Sequence, residues 1–197
     1  MPHEKQKLTQ PKLPAVFQNR DFYQTPNYAT KLLVPYIPKD IKIIWECACA
    51  VGKISTVLEE SGYETLNSDI KIMWDNQDFV YNFITGVKGF MSSKKFDCII
   101  TNPPFSLKKE FYKRCVEFDV PFALLIPADY SGWIIDAIKD GAEKLIPSRR
   151  INFITPSGKT EETGGTSNFH SMWLTRGFNL GKSEVFVDLT LEMKKDI

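Results

Sequence analysis

The chain is poor in residues that hold metals. It has two histidines and four cysteines, and Cys47 and Cys49 form a lone C-x-C with no second pair or histidine cluster to complete a site. No metal centre is therefore expected, and the cysteines read as reduced core thiols. Charge of one sign is also missing. Lysine and arginine number 25 against 24 aspartates and glutamates, so there is no global polyanion-binding signature, and any contact with nucleic acid must come from local patches. No apolar run reaches the length of a membrane span, and Met1-Pro2-His3-Glu4-Lys5 lacks the apolar stretch of a signal peptide. The expected location is cytoplasmic, with no membrane partner.

What is present is the composition of one ordinary globular domain. A length of 197 residues with 43% hydrophobic content can bury a proper core. Residues 1–20 are polar, proline-punctuated and locally basic (Lys5, Lys7, Lys12, Arg20). They read as a mobile or surface-laid N-terminal arm, leaving 21–197 as a single domain. From Thr25 onward strand and helix patterns alternate, the signature of an α/β fold with a mostly parallel sheet. Thr25 is expected to cap a short helix from Asn27 to Tyr36, with Pro26 at its first position. Strands are expected at Ile41–Trp45, Glu64–Ser68, Phe79–Ile84, Phe96–Thr101, Phe122–Ile126, Arg150–Ile154 and Met172–Thr175. Helices are expected at Lys53–Glu60, Leu107–Phe118 and Ile134–Ile138. A Gly/Ser/Thr-rich loop fills 156–167, either functional or disordered.

The sharpest signal is Asn102-Pro103-Pro104-Phe105, directly after an apolar run. Neither proline can donate a backbone hydrogen bond and both fix φ, so the strand stops in a stiff, extended turn. That turn lies beyond a strand's carboxyl end, where open α/β sheets place ligands. It offers an amide, a rigid carbonyl and an aromatic ring, which suit a planar amino group. Upstream, Glu46-Cys47-Ala48-Cys49-Ala50-Val51-Gly52 follows the first strand and opens a helix, where small residues let backbone N–H groups approach a ligand. Asp69 ends the next strand, and fits either a turn-forming role or the carboxylate that takes ribose hydroxyls. Asp78-Phe79 fits either a solvated turn or a contact to an adenine amino group.

In this order the motifs resemble the class I S-adenosylmethionine-dependent methyltransferases of the adenine-N6 DNA type, in a small, phage-like version. The resemblance spans roughly residues 20–176. Asp21-Phe22-Tyr23-Gln24-Thr25-Pro26 resembles the family's N-terminal motif, Glu46 to Gly52 its glycine loop, and Asn102 to Phe105 its catalytic turn. It implies a Rossmann-like, mostly parallel seven-stranded sheet with helices on both faces, and no separate target-recognition domain. S-adenosylmethionine is the implied cofactor, held by Phe22, Tyr23, Thr25, Glu46, Ala48, Gly52, Asp69, Asp78, Phe79 and Asn102. Asn102, Pro103, Pro104 and Phe105 are the implied catalytic residues, with DNA as partner and Arg149, Arg150 and Trp133 as candidate contacts to it. Adenine-N6 transfer in RNA, transfer to a protein glutamine, and a non-catalytic binding subunit stand beside this reading. One departure is local. Ala50 stands where the family's loop usually has glycine, and its Cβ is costly if the backbone there needs positive φ.

Overall fold

Strands covered on both faces should be apolar at every position, not alternately, and the central strands are. The computed structural model describes residues 23–91, 93–154 and 168–197. The expected N-terminal arm, Phe22 and the loop at 156–167 lie outside the described residues. The strands are β1 (Ile43–Glu46), β2 (Glu64–Asp69), β3 (Phe79–Val80), β4 (Cys98–Thr101), β5 (Phe122–Pro127), β6 (Ala142–Pro147), β7 (Ser171–Arg176) and β8 (Glu184–Val187). They form one eight-stranded sheet in the order β3-β2-β1-β4-β5-β7-β6-β8. Only β7 runs against the rest, pairing antiparallel with β5 and β6.

Side chains alternate between two cores. Ile44, Cys98, Ile100, Ala123, Leu125 and Trp173 face one side; Trp45, Ile99, Leu124, Ile126, Met172 and Leu174 face the other. The first side is covered by α1 (Asn27–Leu33) and α2 (Lys53–Glu60), the second by α3 (Lys88–Met91), α4 (Lys108–Phe118) and α5 (Gly132–Lys139). On α4 the apolar stripe is Phe111, Tyr112, Cys115 and Phe118, spaced for one helical face. Trp45 anchors the second core, fully buried, with its ring within 5.0–5.7 Å of Tyr81, Phe83, Phe96 and Phe118. Its indole N–H donates to Ser68 Oγ at 2.9 Å, as a buried indole requires. All four cysteines are free and buried, and no helix among the described residues is long and apolar enough to cross a membrane.

Four expectations need correction. The sheet has eight strands, not seven, because β6 and β8 were not legible. Residues 151–153 form no strand; only Ile154 makes an isolated bridge to Gln24. Two arginines at its start and a lack of paired neighbours leave that apolar run packed as a loop. Thr25 is not the helix cap. Pro26 takes that place without a side-chain bond, and Thr25 is buried. The expected third strand, Phe79–Ile84, pairs for only two residues before leaving the sheet.

The topology places the site. From β1 the chain moves outward to β2 and β3, then crosses back to β4 on β1's other side. A crevice opens where the order reverses, beyond the carboxyl ends of β1 and β4. Loop Cys47–Gly52 and turn Asn102–Phe105 leave the sheet there together.

Candidate active site

Asn102 is held in one orientation. Its Nδ2 donates to the Tyr23 carbonyl at 3.0 Å, so the amide oxygen is the atom left over. Oδ1 is buried and has no hydrogen-bond partner among the described residues. An orphaned buried acceptor costs about 1–3 kcal/mol, and at the lip of a crevice it marks where a donor belongs. Pro104 continues extended at φ −51°, ψ 125°, so the turn runs straight from β4 into a short helical turn. Phe105 enters an aromatic cluster. It stacks on Tyr23 at 5.7 Å and 20° and meets Phe153 and Phe169 edge-on at 5.6 and 5.3 Å. Those rings come from four separate places in the chain.

The loop after β1 carries the strain that its sequence implied. Ala50 sits at φ +46°, a conformation that costs a non-glycine residue about 1 kcal/mol. Asp69 at the end of β2 compensates. Its Oδ2 accepts from Ala50 N at 3.0 Å and its Oδ1 from Ile70 N at 2.7 Å. Burial pushes the Asp69 carboxyl up, and these N–H groups oppose that shift. Gly52 at φ +74° caps α2, and a Cβ there would lie 2.5 Å from the Trp74 ring, so only glycine fits. Ala50→Gly should raise stability by about 0.5–1 kcal/mol, read from the midpoint of chemical denaturation.

Glu46 lies beneath this loop, buried and bonded to α2. Ser55 N donates to its Oε2 at 2.9 Å, and Ser55 Oγ lies within hydrogen-bond distance of both Glu46 Oε2 and Asn67 Oδ1. Asn67 Nδ2 donates to Thr65 Oγ1 at 2.9 Å, which leaves Asn67 Oδ1 as an acceptor of the Ser55 proton. One hydroxyl proton cannot serve both oxygens, so the contact to Glu46 calls for a proton on the carboxyl. Burial pushes that carboxyl up to about 8, and the Ser55 hydrogen bonds oppose the shift without cancelling it. Folded Glu46 thus keeps a proton that the unfolded chain releases near pH 4.5. The associated stability is full below the lower value and is lost as pH rises to the upper one. Glu46→Gln should flatten that slope and stabilise the fold at about pH 8, by on the order of 3 kcal/mol. Denaturation curves at about pH 5 and about pH 8 measure it.

A cavity of about 510 Å³ opens beside these groups, lined by residues after the first four strands, among them Ala48, Ala50, Asp69, Phe83, Asn102 and Pro104. A smaller pocket adjoins it, bounded by Tyr23, Thr25, Glu46, Ala48 and Asn102. Of the expected cofactor-binding residues, Tyr23, Thr25, Glu46, Ala48, Asp69 and Asn102 line one space or the other, while Gly52 lies against the Trp74 ring and lines neither. Asp78 and Phe79 are not among the lining residues. The Asp78 carboxylate accepts from Asn67 N at 2.7 Å and pins β2 to the following loop. Trp133 packs on Tyr112 at 5.6 Å and does not line the cavity. Arg149 and Arg150 are exposed just after β6, at the same sheet edge as the Asn102–Phe105 turn.

Two organising residues gave no signal in the sequence. Gln77 Nε2 donates to the Lys71 and Phe79 carbonyls, both at 2.9 Å, and its Oε1 accepts from Met73 N at 3.0 Å, which holds the loop that carries Trp74. Arg114 on α4 donates to the Phe83 carbonyl at 3.0 Å and the Gly86 carbonyl at 2.5 Å, clamping the cavity wall 81–85. Their partners are mostly backbone carbonyls, which no residue pattern reveals.

No family profile matches the chain, and no curated protein matches it in sequence. Solved structures share its fold. A Pyrococcus horikoshii protein assigned as an RNA methyltransferase superimposes with a TM-score of 0.57 at 15% identity, over 86% of this chain and 92% of that one. The methyltransferase subunit of a Streptococcus thermophilus type I restriction-modification system gives 0.56 at 11% identity, over 85% of this chain. The chain spans about half of that subunit, 47% of its length. A Lactococcus lactis protein assigned as a hemolysin gives 0.53 at 13% identity, over 86% and 93%. The chain thus has the Rossmann-like fold of methyltransferases; at these identities the likeness is one of fold.

Proposed function

We propose that the chain transfers a methyl group from S-adenosylmethionine to the N6 amino group of adenine in DNA. The observation that carries this reading is the unpartnered Asn102 oxygen on a rigid Pro-Pro turn at the lip of the cavity. A protein assigned as an RNA methyltransferase and a restriction-modification subunit share the fold almost equally, so DNA as the polymer rests on the resemblance of the Asn102–Phe105 turn to the adenine-N6 DNA type.

The residues present fit the cofactor. Asp69 keeps carboxylate lone pairs beyond those used by Ala50 and Ile70, and two ribose hydroxyls are their natural donors. Glu46 borders the small pocket next to Tyr23 and Thr25, where a cationic ammonium would draw its proton off. When bound, the cofactor supplies an electrophilic methyl group. The N6 lone pair of adenine is delocalised into its ring, so the protein's task is to localise it. Asn102 Oδ1 and the Pro103 carbonyl hold the two N–H hydrogens and turn the lone pair toward the cavity, an electrostatic and positional effect. No strong base is required, because the N–H becomes acidic as the methyl joins. Phe105 stacks on the extruded base. Since Tyr23 covers one face of Phe105 in near-parallel contact, the base takes the other face or parts the cluster. Stacking of about 1–3 kcal/mol offsets much of the few kcal/mol that extrusion costs.

Alanine at position 50 does not keep the loop from its left-handed turn. It reaches the left-handed conformation without glycine because Asp69 ties its N–H. The test is transfer of labelled methyl from S-adenosylmethionine to DNA, RNA and a glutamine-containing protein offered separately. Label in DNA is expected. Label confined to RNA or protein reassigns the substrate, and failure to bind cofactor at millimolar concentration defeats the enzyme reading.

A further inference from the structure

A nucleic-acid substrate must be gripped beside its target base as well as at it. The loop that follows β5, residues 128–131, is fastened from both sides. Lys108, six residues after Asn102 and the first residue of α4, binds Asp129 at 2.9 Å. Asp129 Oδ1 accepts in turn from Ser131 N at 2.9 Å and Ser131 Oγ at 2.7 Å. Between them Tyr130 is 66% exposed, yet it is anchored at both ends. Its hydroxyl donates to Glu184 Oε1 at 2.7 Å, and its ring lies 3.5 Å from Lys144 Nζ. The Lys144 side chain is 0% exposed, with Glu184 at 3.1 Å. A buried cation under an aromatic face is a strong cation–π contact, and here it leaves most of the ring open to solvent.

A second open ring stands nearby in the sheet. Phe186 is 70% exposed and lies two residues beyond Glu184 in β8, so it projects from the same face. Strand β8 runs parallel to β6, toward the edge that carries the catalytic turn. A freely rotating surface tyrosine loses its rotamer freedom on binding; Tyr130 has already lost it. A fixed, open ring of this kind suits a flat partner.

Resting on the nucleic-acid reading above, we propose that Tyr130, with Phe186 on the same sheet face, is a stacking platform for an unpaired nucleobase flanking the target adenine. The contact is to a π-face, so it is tolerant of base identity and grips the strand without reading sequence.

The test is the affinity of the full chain for fluorescent single-stranded DNA and single-stranded RNA oligonucleotides containing adenine, without cofactor. Tyr130→Leu should weaken binding of the preferred polymer by about tenfold, the scale of one lost stack. Tyr130→Phe and Tyr130→Trp, which keep a ring, should stay within about threefold of wild type. S-adenosylmethionine affinity should be unchanged in all three; melting temperature should hold in Tyr130→Trp, which keeps a ring over Lys144, and fall in Tyr130→Leu, which uncovers that cation, so binding is compared well below either melting point. Wild-type affinity in Tyr130→Leu overturns the platform, and so does an equal loss in Tyr130→Phe, which assigns the effect to the Glu184 contact. Both results leave the methyltransferase reading intact. A wild-type chain that binds cofactor but neither polymer removes the nucleic-acid reading, and the platform with it.

Discussion

Asn102→Ala should reduce methyl transfer by at least about 10²–10³-fold, the cost of removing one preorganised polar group from a transition state, while cofactor affinity stays within about twofold. The asymmetry follows from the two ends of the side chain. Its oxygen has no partner among the described residues, so its loss leaves nothing unsatisfied there at rest and is felt when a substrate amino group arrives. Its nitrogen holds the Tyr23 carbonyl, one neutral hydrogen bond worth about 1 kcal/mol, which limits the effect on fold and cofactor pocket. Single-turnover rates with isothermal titration of cofactor separate the two. Equal losses in rate and affinity would mean that Asn102 serves the cofactor and not the substrate.

Asp69→Ala should act in the opposite sense, weakening S-adenosylmethionine by about 100-fold, as expected for charge-assisted hydrogen bonds worth about 1.5–3 kcal/mol each. Two losses combine. The proposed ribose acceptor goes, and so does the anchor that holds Ala50 N in its left-handed conformation. The rate at saturating cofactor should change far less than the affinity. Titration and saturation kinetics together decide it, and an unchanged dissociation constant would remove Asp69 from the cofactor site. Adding Ala50→Gly should restore part of the loss, because the loop then needs no tether.

How much of this was legible in the sequence varies by element. The central strands were clear because burial on both faces writes them as unbroken apolar runs, and α4 because Phe111, Tyr112, Cys115 and Phe118 mark one face. The stiff turn at Asn102–Phe105 was legible because two consecutive prolines after a strand permit little else. Ala50 shows a finer kind of legibility, since the missing glycine implied a strained backbone and the strain is present at φ +46°. Strands β6 and β8 were missed for a physical reason. β6 buries a lysine, Lys144, whose charge Glu184 of β8 compensates across the pair, and neither strand shows clean alternation until the two are set side by side. The 151–153 run shows the converse, apolar residues buried as a loop with no partner strand. The cavity wall at 81–85 was hidden because Arg114 holds it through backbone carbonyls. Sequence shows side chains, and those contacts are made by the main chain.

The proposed transfer requires a planar amino group to donate to Asn102 while a methyl is delivered. The measurement that tests it most directly is mass-spectrometric quantification of N6-methyladenine in DNA from cells expressing the chain, against cells expressing Asn102→Ala at equal level. N6-methyladenine above background with the wild type and at background with the variant is the predicted result. Equal levels in the two, or none in the wild type although the purified chain binds S-adenosylmethionine, would contradict it.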